Sequence, residues 1–215
     1  MVEGYIFDMD GVLCDSEEFI AMAAIRMFKQ TYGVEVTVDD FTPFVGAGEN
    51  RYIGGVAKKY GIDWNQERDK AETYRLYGEC VKGNLQALPG VKAFIEEARA
   101  EGIRLAVATS ADEVKMKTNL HEIGLDEECF DALVNGLEIE HKKPAPDIFL
   151  EAARRLGLAP SVCTVFEDAV NGVQAAKAAG ANCTGITSFF SREVLLEAGA
   201  DHVVSGFDEL RTKAR

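Results

Sequence analysis

The sequence predicts an α/β fold in which helices cover both faces of a parallel sheet and a block of helices is inserted after the first strand. From Val91 onward, short apolar runs alternate with amphipathic segments, a pattern typical of successive βαβ units. Right-handed crossovers of this kind produce parallel strands that are buried on both faces. Between residues 16 and 82 no run resembles a buried parallel strand, so this region is predicted to be helical.

Local signals define the individual elements. The first strand is Tyr5–Phe7, and the next helix begins near Ser16, has Glu17 and Glu18 in its first turn, and runs toward Gly33. Thr37 caps a short helix. Further helices are predicted over 51–60, 65–82, 91–101, 112–123, 146–156, 169–179 and 191–198, and further strands over 103–108, 132–134, 163–166, 183–186 and 202–204. The chain is thereby divided into a core of residues 1–15 and 84–215 and a helical insert of residues 16–83.

Composition excludes several classes of protein. The net charge of −13 argues against a nucleic-acid or anionic-membrane partner. No apolar run approaches the length of a membrane span, and the first four residues lack the positive charge of a signal peptide. The 5 cysteines have no paired spacing, which argues against a disulfide framework. We expect a cytoplasmic monomer that binds neither membrane nor nucleic acid.

Two acidic residues, Asp8 and Asp10, follow the first strand and precede Gly11. In extended backbone both side chains point to the same side, because side chains on a strand alternate. Two carboxylates so placed repel each other, and a cation that prefers oxygen ligands, such as Mg²⁺, would stabilise them. An isolated Asp-x-Asp-Gly is equally compatible with a turn in which one aspartate is a cap and the other is solvated.

Other polar side chains follow later strands at their carboxyl ends. Thr109 and Ser110 come after the second predicted strand, and Glu167 and Asp168 come after the fourth. The loop between the third strand and the next helix adds Lys143. Taken singly, Thr109 is compatible with a helix cap and Lys143 with a solvated loop charge. Ligands of open parallel sheets bind beyond this edge, so together these residues predict one site.

The residue types at this edge suit phosphoryl transfer, in which catalysis depends on positioning and on neutralising charge. Asp8 can attack phosphorus and carry an aspartyl phosphate, while Asp10 can protonate the leaving oxygen and later deprotonate the attacking water. Thr109 can donate a hydrogen bond to a phosphate oxygen, and Lys143 can offset the negative charge. Oxygen ligands for Mg²⁺ are available from Asp8, Glu167, Asp168 and the backbone carbonyl of Asp10.

These residues, in this order and at these intervals, resemble the four motifs of the haloacid dehalogenase superfamily. The motifs are Asp8-Met9-Asp10-Gly11-Val12-Leu13, Thr109, Lys143-Pro144-Ala145-Pro146-Asp147 and Glu167-Asp168. The helical insert after the first motif is most similar to that of the beta-phosphoglucomutase and phosphatase branch. The resemblance covers essentially the whole chain. It implies a Rossmann-like core, a mobile α-helical cap, and Mg²⁺-dependent action on a small phosphorylated metabolite.

Departures from the superfamily patterns favour hydrolysis of phosphate esters. True dehalogenases and phosphonate-cleaving members lack the second aspartate of the first motif, so Asp10 favours phosphate esters. The family's mutases carry a histidine where this chain has Ile20, and a Ser-Lys-Asn cluster where it has Ala111-Asp112-Glu113. We therefore expect a phosphatase. The alternatives are a sugar phosphate mutase and a catalytically silent binding or regulatory domain.

Substrate recognition is expected between the insert and the core. The segment Val45–Arg51 is glycine-rich and polar, so its backbone can approach a ligand closely, although a simple turn between two helices is equally compatible. Lys70 stands where a mutase cap segment has a lysine that contacts substrate, and we interpret it instead as a solvated helix charge. The candidate substrate-binding residues are Ser110, Gly46, Glu49, Asn50, Arg51 and Lys70.

Overall fold

The computed structural model describes residues 2–44 and 48–213, and its centre is a six-stranded sheet whose strands are all parallel. The strands are β1 (Gly4–Phe7), β2 (Arg104–Ala108), β3 (Ala132–Val134), β4 (Cys163–Glu167), β5 (Asn182–Ile186) and β6 (His202–Val204). Their spatial order is β3-β2-β1-β4-β5-β6. Because β1 lies between β2 and β4, the residues that follow these three strands meet at one edge of the sheet.

Helices cover both faces of this sheet, which confirms the predicted fold class. The helices are α1 (Glu17–Tyr32), α2 (Glu49–Lys59), α3 (Gln66–Val81), α4 (Val91–Ala100), α5 (Glu113–Glu122), α6 (Asp147–Leu156), α7 (Val170–Ala178), α8 (Arg192–Glu197) and α9 (Phe207–Lys213). On one face, α6 packs against β1, β2 and β3, and α7 packs against β4 and β5. On the other face, α4 and α9 pack together over an aromatic cluster that includes Phe7 and Phe166.

Helix α9 was not predicted from the sequence. Its first residue, Phe207, is buried and its ring contacts Phe7, Phe94 and Phe166. The helix is only 7 residues long, too short for its periodicity to be recognised, and isolated helices of this length are unstable in water. Packing of Phe207 on the sheet, rather than local propensity, therefore accounts for the helix.

Between residues 16 and 83 the described elements are all helices, as predicted. Helices α1 and α3 pack against each other, and a 3₁₀ helix at Val38–Asp40 has a reciprocal capping box between Thr37 and Asp40. The two connections to the core run side by side, since the Leu88 N–H donates to the Leu13 carbonyl at 2.9 Å. None of the described helices is long and apolar enough to cross a membrane. The division into a core and a cap that moves stays a prediction.

Candidate active site

Asp8 and Lys143 meet at the carboxyl end of the central strand. The Asp8 N–H donates to the Phe166 carbonyl at 3.0 Å, which fixes its backbone directly after β1. Lys143 Nζ lies 2.6 Å from Asp8 Oδ1 and also donates to Glu167 Oε1. The Lys143 side chain is only 5% exposed, and its ammonium stands 4.9 Å from the centroid of the Phe149 ring. Opposite charges and an aromatic face therefore hold a buried cation against the candidate nucleophile.

Glu167, the last residue of β4, is buried, and its carboxylate accepts hydrogen bonds from three donors. Its Oε2 accepts the N–H groups of Asp168 at 3.0 Å and Ala169 at 3.1 Å, and its Oε1 accepts from Lys143. A Cβ on Gly172 would lie 1.8 Å from Glu167 Oε1. The first turn of α7 can therefore approach this carboxylate only because residue 172 has no side chain.

Asp168 is held from the side of β5. Ser188 Oγ lies 3.1 Å from Asp168 Oδ2 and 2.6 Å from the Gly11 carbonyl oxygen. Gly11 has a φ of +74°, and a Cβ there would lie 1.9 Å from Asp168 Oδ2. The glycine of the first motif is thus required both by its backbone conformation and by the space that Asp168 occupies.

One carboxylate oxygen from each of Asp8, Glu167 and Asp168 lies within 4.8 Å of the other two. Burial, followed by the charge of Glu167, raises the pKa of Asp8 to about 7, although Lys143 opposes this shift. Burial and the charges of Glu167 and Asp8 raise the pKa of Asp168 to about 8. A buried cluster of oxygen donors that resists full ionisation fits a divalent cation such as Mg²⁺.

Asp10 has different surroundings from Asp8. Strand β1 ends at Phe7, and the next residues form a turn in which the N–H groups of Leu13 and Cys14 donate to the Met9 carbonyl. Strand alternation therefore does not orient Asp10. The prediction that Asp8 and Asp10 point to the same side assumed extended backbone, whereas Asp10 lies in a turn. The Asp10 carboxylate accepts hydrogen bonds from Ser16 Oγ and, at 2.7 Å, from Lys115 Nζ. Within the described residues its side chain is not part of the metal-type cluster.

Thr109 and Ser110 lie at the end of β2. The buried Thr109 donates its N–H to the Val134 carbonyl at 3.0 Å, and its Oγ1 accepts the Ala111 N–H at 3.1 Å. Since the hydroxyl is the acceptor in this bond, it can also act as a donor. The Ser110 carbonyl lies 3.8 Å from the position that a Cβ on Gly48 would occupy, so the start of α2 is close to this strand end.

The other candidate substrate-binding residues belong to the helical insert, near the start of α2 and on α3. Gly46 lies outside the described residues, Glu49 is the first residue of α2, and Arg51 is exposed in its first turn. Asn50 Oδ1 is buried without a hydrogen-bond partner among the described residues. The interpretation of Lys70 as a solvated charge is wrong: its side chain is 17% exposed, and its Nζ lies 2.7 Å from Asp112 Oδ2 on the core side.

Sequence reasoning missed Lys115, Gly172 and Ser188. Only Lys115 left a recognisable signal. It lies on the same buried face of α5 as Met116, Asn119 and Leu120, and a lysine on such a face needs a partner. No local pattern marks the other two. Gly172 is required by the close approach of the Glu167 carboxylate, and Ser188 contacts Asp168 and the Gly11 carbonyl from a distant part of the chain.

With this geometry in place, comparison with known proteins identifies the family. A family model described as haloacid dehalogenase-like hydrolase matches residues 2–180. The chain belongs to this family, which confirms the resemblance that its four motifs indicated.

Three relatives illustrate the range of similar proteins. The chain is 43% identical over 203 residues to SUPPRESSOR OF QUENCHING 1, a chloroplastic protein of Arabidopsis thaliana, and the match covers 92% of this chain but 19% of the plant protein. It is 34% identical over 205 residues to a phosphorylated carbohydrates phosphatase of Thermotoga maritima, with 93% of this chain and 92% of that protein covered. The crystal structure of CbbY from Rhodobacter sphaeroides in complex with phosphate has a TM-score of 0.89 at 28% identity, covering 98% of this chain and 96% of that one.

Proposed function

We propose that this protein is a Mg²⁺-dependent phosphatase that hydrolyses a small phosphate monoester, of the sugar phosphate class, through an aspartyl phosphate on Asp8. The observation that carries the proposal is the buried contact of Asp8 with Lys143 beside the carboxylates of Glu167 and Asp168. The names of the Thermotoga relative, a phosphatase of phosphorylated carbohydrates, and of the phosphate complex of CbbY support this substrate class.

Two proton-coupled steps use the two aspartates. In the first, an Asp8 oxygen forms a bond to phosphorus, the bond from phosphorus to the leaving oxygen breaks, and that oxygen takes a proton from Asp10. In the second, water forms a bond to phosphorus and gives a proton to Asp10 while the bond from phosphorus to the Asp8 oxygen breaks. Phosphate is released, and both aspartates return to their starting states. Contact with Lys143 favours the ionised, nucleophilic form of Asp8.

The remaining residues bind and orient the phosphate. Thr109 donates its hydroxyl proton to a phosphate oxygen, and Lys143 offsets the charge that accumulates on phosphate and carboxylate. Glu167 holds Lys143 in place through their buried contact. When bound by Asp8, Asp168, Glu167 and the Asp10 carbonyl, Mg²⁺ would neutralise charge between the nucleophile and the phosphate.

Residues 16–83 would form the cap that covers the substrate and excludes water. In this proposal the substrate's hydroxyl groups lie between Ser110 on the core and the start of α2. Asn50 Oδ1 is buried there without a hydrogen-bond partner among the described residues, and a substrate hydroxyl would donate to it. Gly46, Glu49 and Arg51 belong to the same segment. A cytoplasmic location and a monomeric state also stay predictions, and the plant relative is chloroplastic by name.

A phosphate-release assay over a panel of sugar phosphates with Mg²⁺ tests the proposal. We expect release from at least one sugar phosphate, and we expect Asp8→Asn and exhaustive chelation each to abolish it. Release that persists in Asp8→Asn would show that the nucleophile is misassigned, and release that survives chelation would overturn the metal requirement. Conversion of β-glucose 1-phosphate to the 6-phosphate without phosphate release would establish the mutase alternative instead.

A further inference from the structure

Lys115 is a buried cation outside the predicted motifs. Its side chain is 3% exposed, and its Nζ lies 2.7 Å from Asp10 Oδ2. Lysine is rarely buried without a partner, because removing an ammonium from water is costly. A helix that could have carried an apolar residue at this position instead carries a charge directed at Asp10.

The other oxygen of Asp10 is held by Ser16, which in turn contacts the same face of α5. Asp10 Oδ1 accepts from the hydroxyl of the buried Ser16, and Asn119 Nδ2 lies 3.3 Å from that hydroxyl oxygen. Asn119 is one turn after Lys115 on α5, and its Oδ1 accepts from the Tyr77 hydroxyl of α3. Both carboxylate oxygens of Asp10 are thereby located by contacts that converge on α5.

We propose that Lys115 is a positioning residue that sets the orientation in which Asp10 transfers its proton. The inference rests on the proposed function, in which Asp10 protonates the leaving oxygen while the bond from Asp8 to phosphorus forms. Lys115 bonds the carboxylate and does not contact the reacting atoms. Two donors on opposite oxygens restrict rotation of the carboxyl group, and a misplaced acid loses much of its effect on the rate.

The leaving group distinguishes positioning from a merely structural role. An alkoxide that leaves from an alkyl phosphate needs a proton from Asp10, whereas p-nitrophenolate leaves without one. Displacing Asp10 should therefore slow transfer to Asp8 from an alkyl ester much more than from p-nitrophenyl phosphate. Loss of packing alone would lower both rates alike.

The experiment compares benzyl phosphate with p-nitrophenyl phosphate in the full chain with Mg²⁺. We expect Lys115→Met to lower kcat/KM for benzyl phosphate by about ten- to a hundredfold more than for p-nitrophenyl phosphate, and Lys115→Arg to restore part of the difference. Lys117→Met is the matched control: this residue is on the same helix, 43% exposed, and paired with Glu113 and Glu127. Its ratio of the two kcat/KM values should stay within about twofold of the wild type.

Two further variants keep the inference falsifiable if Lys115→Met does not fold. Ser16→Ala removes the contact on the other oxygen and should shift the ratio in the same direction. In an Asp10→Asn background, Lys115→Arg should leave the ratio unchanged, because the residue acts through the Asp10 carboxyl group. Equal losses on both esters, or an unchanged ratio in Lys115→Met and Ser16→Ala, would overturn the inference. A wild type that cleaves neither ester, nor any sugar phosphate, would instead contradict the proposed function.

Discussion

Charged groups at the edge of the sheet and charged groups in the helical insert are stabilised in different ways. At the edge, Lys143 and Glu167 are almost completely buried and contact each other. In the insert, Arg75 is 54% exposed and pairs with Glu72 and Glu79 one turn away on its own helix. Exposed pairs of this kind contribute little to stability, whereas a buried pair is costly to form and costly to break. The edge therefore carries charges that fold formation alone does not favour, and the insert carries charges that keep its surface hydrated.

Two groups depart from this contrast. Asp69 is buried in the insert, but it accepts from Tyr32, Arg68 and the Asn65 N–H and so holds α3 to α1. Lys70, the next residue, pairs with Asp112 and joins the insert to the core. Asp69 and Lys70 are thus buried or nearly buried ionised groups with charged partners, as are Lys143 and Glu167 at the edge of the sheet.

The largest effect is expected for Lys143→Met, which leaves Asp8 and Glu167 without their common cation. Activity should fall by about a hundredfold or more, and unfolding free energy at pH 8 by about 3–5 kcal/mol. Lys29→Met, at a residue that is 67% exposed and paired with the exposed Glu35, should change activity by less than about twofold. Steady-state kinetics and urea titration give both numbers. Similar losses in the two variants would mean that the charge at residue 143 is not specifically required.

A pair of glycine substitutions compares the two regions directly. Gly172→Ala places a methyl group on the Glu167 carboxylate and should lower the unfolding free energy by about 1–3 kcal/mol, with a loss of activity. Gly78 lies inside α3, where an added Cβ would meet nothing within 4 Å. Gly78→Ala should therefore raise the unfolding free energy by about 0.5–1 kcal/mol. Urea unfolding of both variants is the measurement. A stabilised Gly172→Ala with full activity would show that Glu167 is free to move.

Metal-free protein should become less stable as the pH rises from 5 to 8. The pKa of Asp8 is raised to about 7 and that of Asp168 to about 8, so the folded state retains protons that the unfolded state has already released. The stabilisation is complete at low pH and is lost as the pH passes through these raised values. Thermal unfolding in chelator should show the decline, and Mg²⁺ should reverse it. In Asp168→Asn the decline should be shallower, and an equal slope would assign it to other groups.

The smallest effect is expected for Lys70→Met, which breaks the ion pair with Asp112. If this pair helps the insert to lie on the core, KM should rise by about three- to tenfold and kcat should change little, as expected for an interaction of about 1 kcal/mol. Lys58→Met, on the exposed side of α2, is the control. A KM identical to that of the wild type would show that the pair does not help to close the site.

Local pattern predicted most of the fold and most of the site. Strands β2, β3 and β6 occur within one residue of their predicted bounds, because apolar runs between turn residues mark buried parallel strands. Asp8, Thr109, Glu167 and Asp168 could be found because each directly follows such a run. Lys143 needed the motif as well, since a lysine in a loop has no pattern of its own.

Other features were decided by tertiary structure alone. Lys115 is 105 residues from Asp10 in the chain, and Lys70 meets Asp112 across the boundary between insert and core. Neither contact has a periodicity or a local motif, because the first depends on where α5 lies relative to the turn after β1 and the second on how α3 packs beside α5.

The sequence by itself therefore determined which side chains follow the strands at their carboxyl ends, since strand ends are marked by local patterns of apolar residues. The order of the strands is a property of the folded sheet. Tertiary structure decided which partners those side chains contact. It placed Lys143 between Asp8 and Glu167, gave Asp10 partners separate from those of Asp8, and paired Lys70 with the core. The physical reason is that charge in a buried site is governed by distance and desolvation, and both are properties of the folded chain.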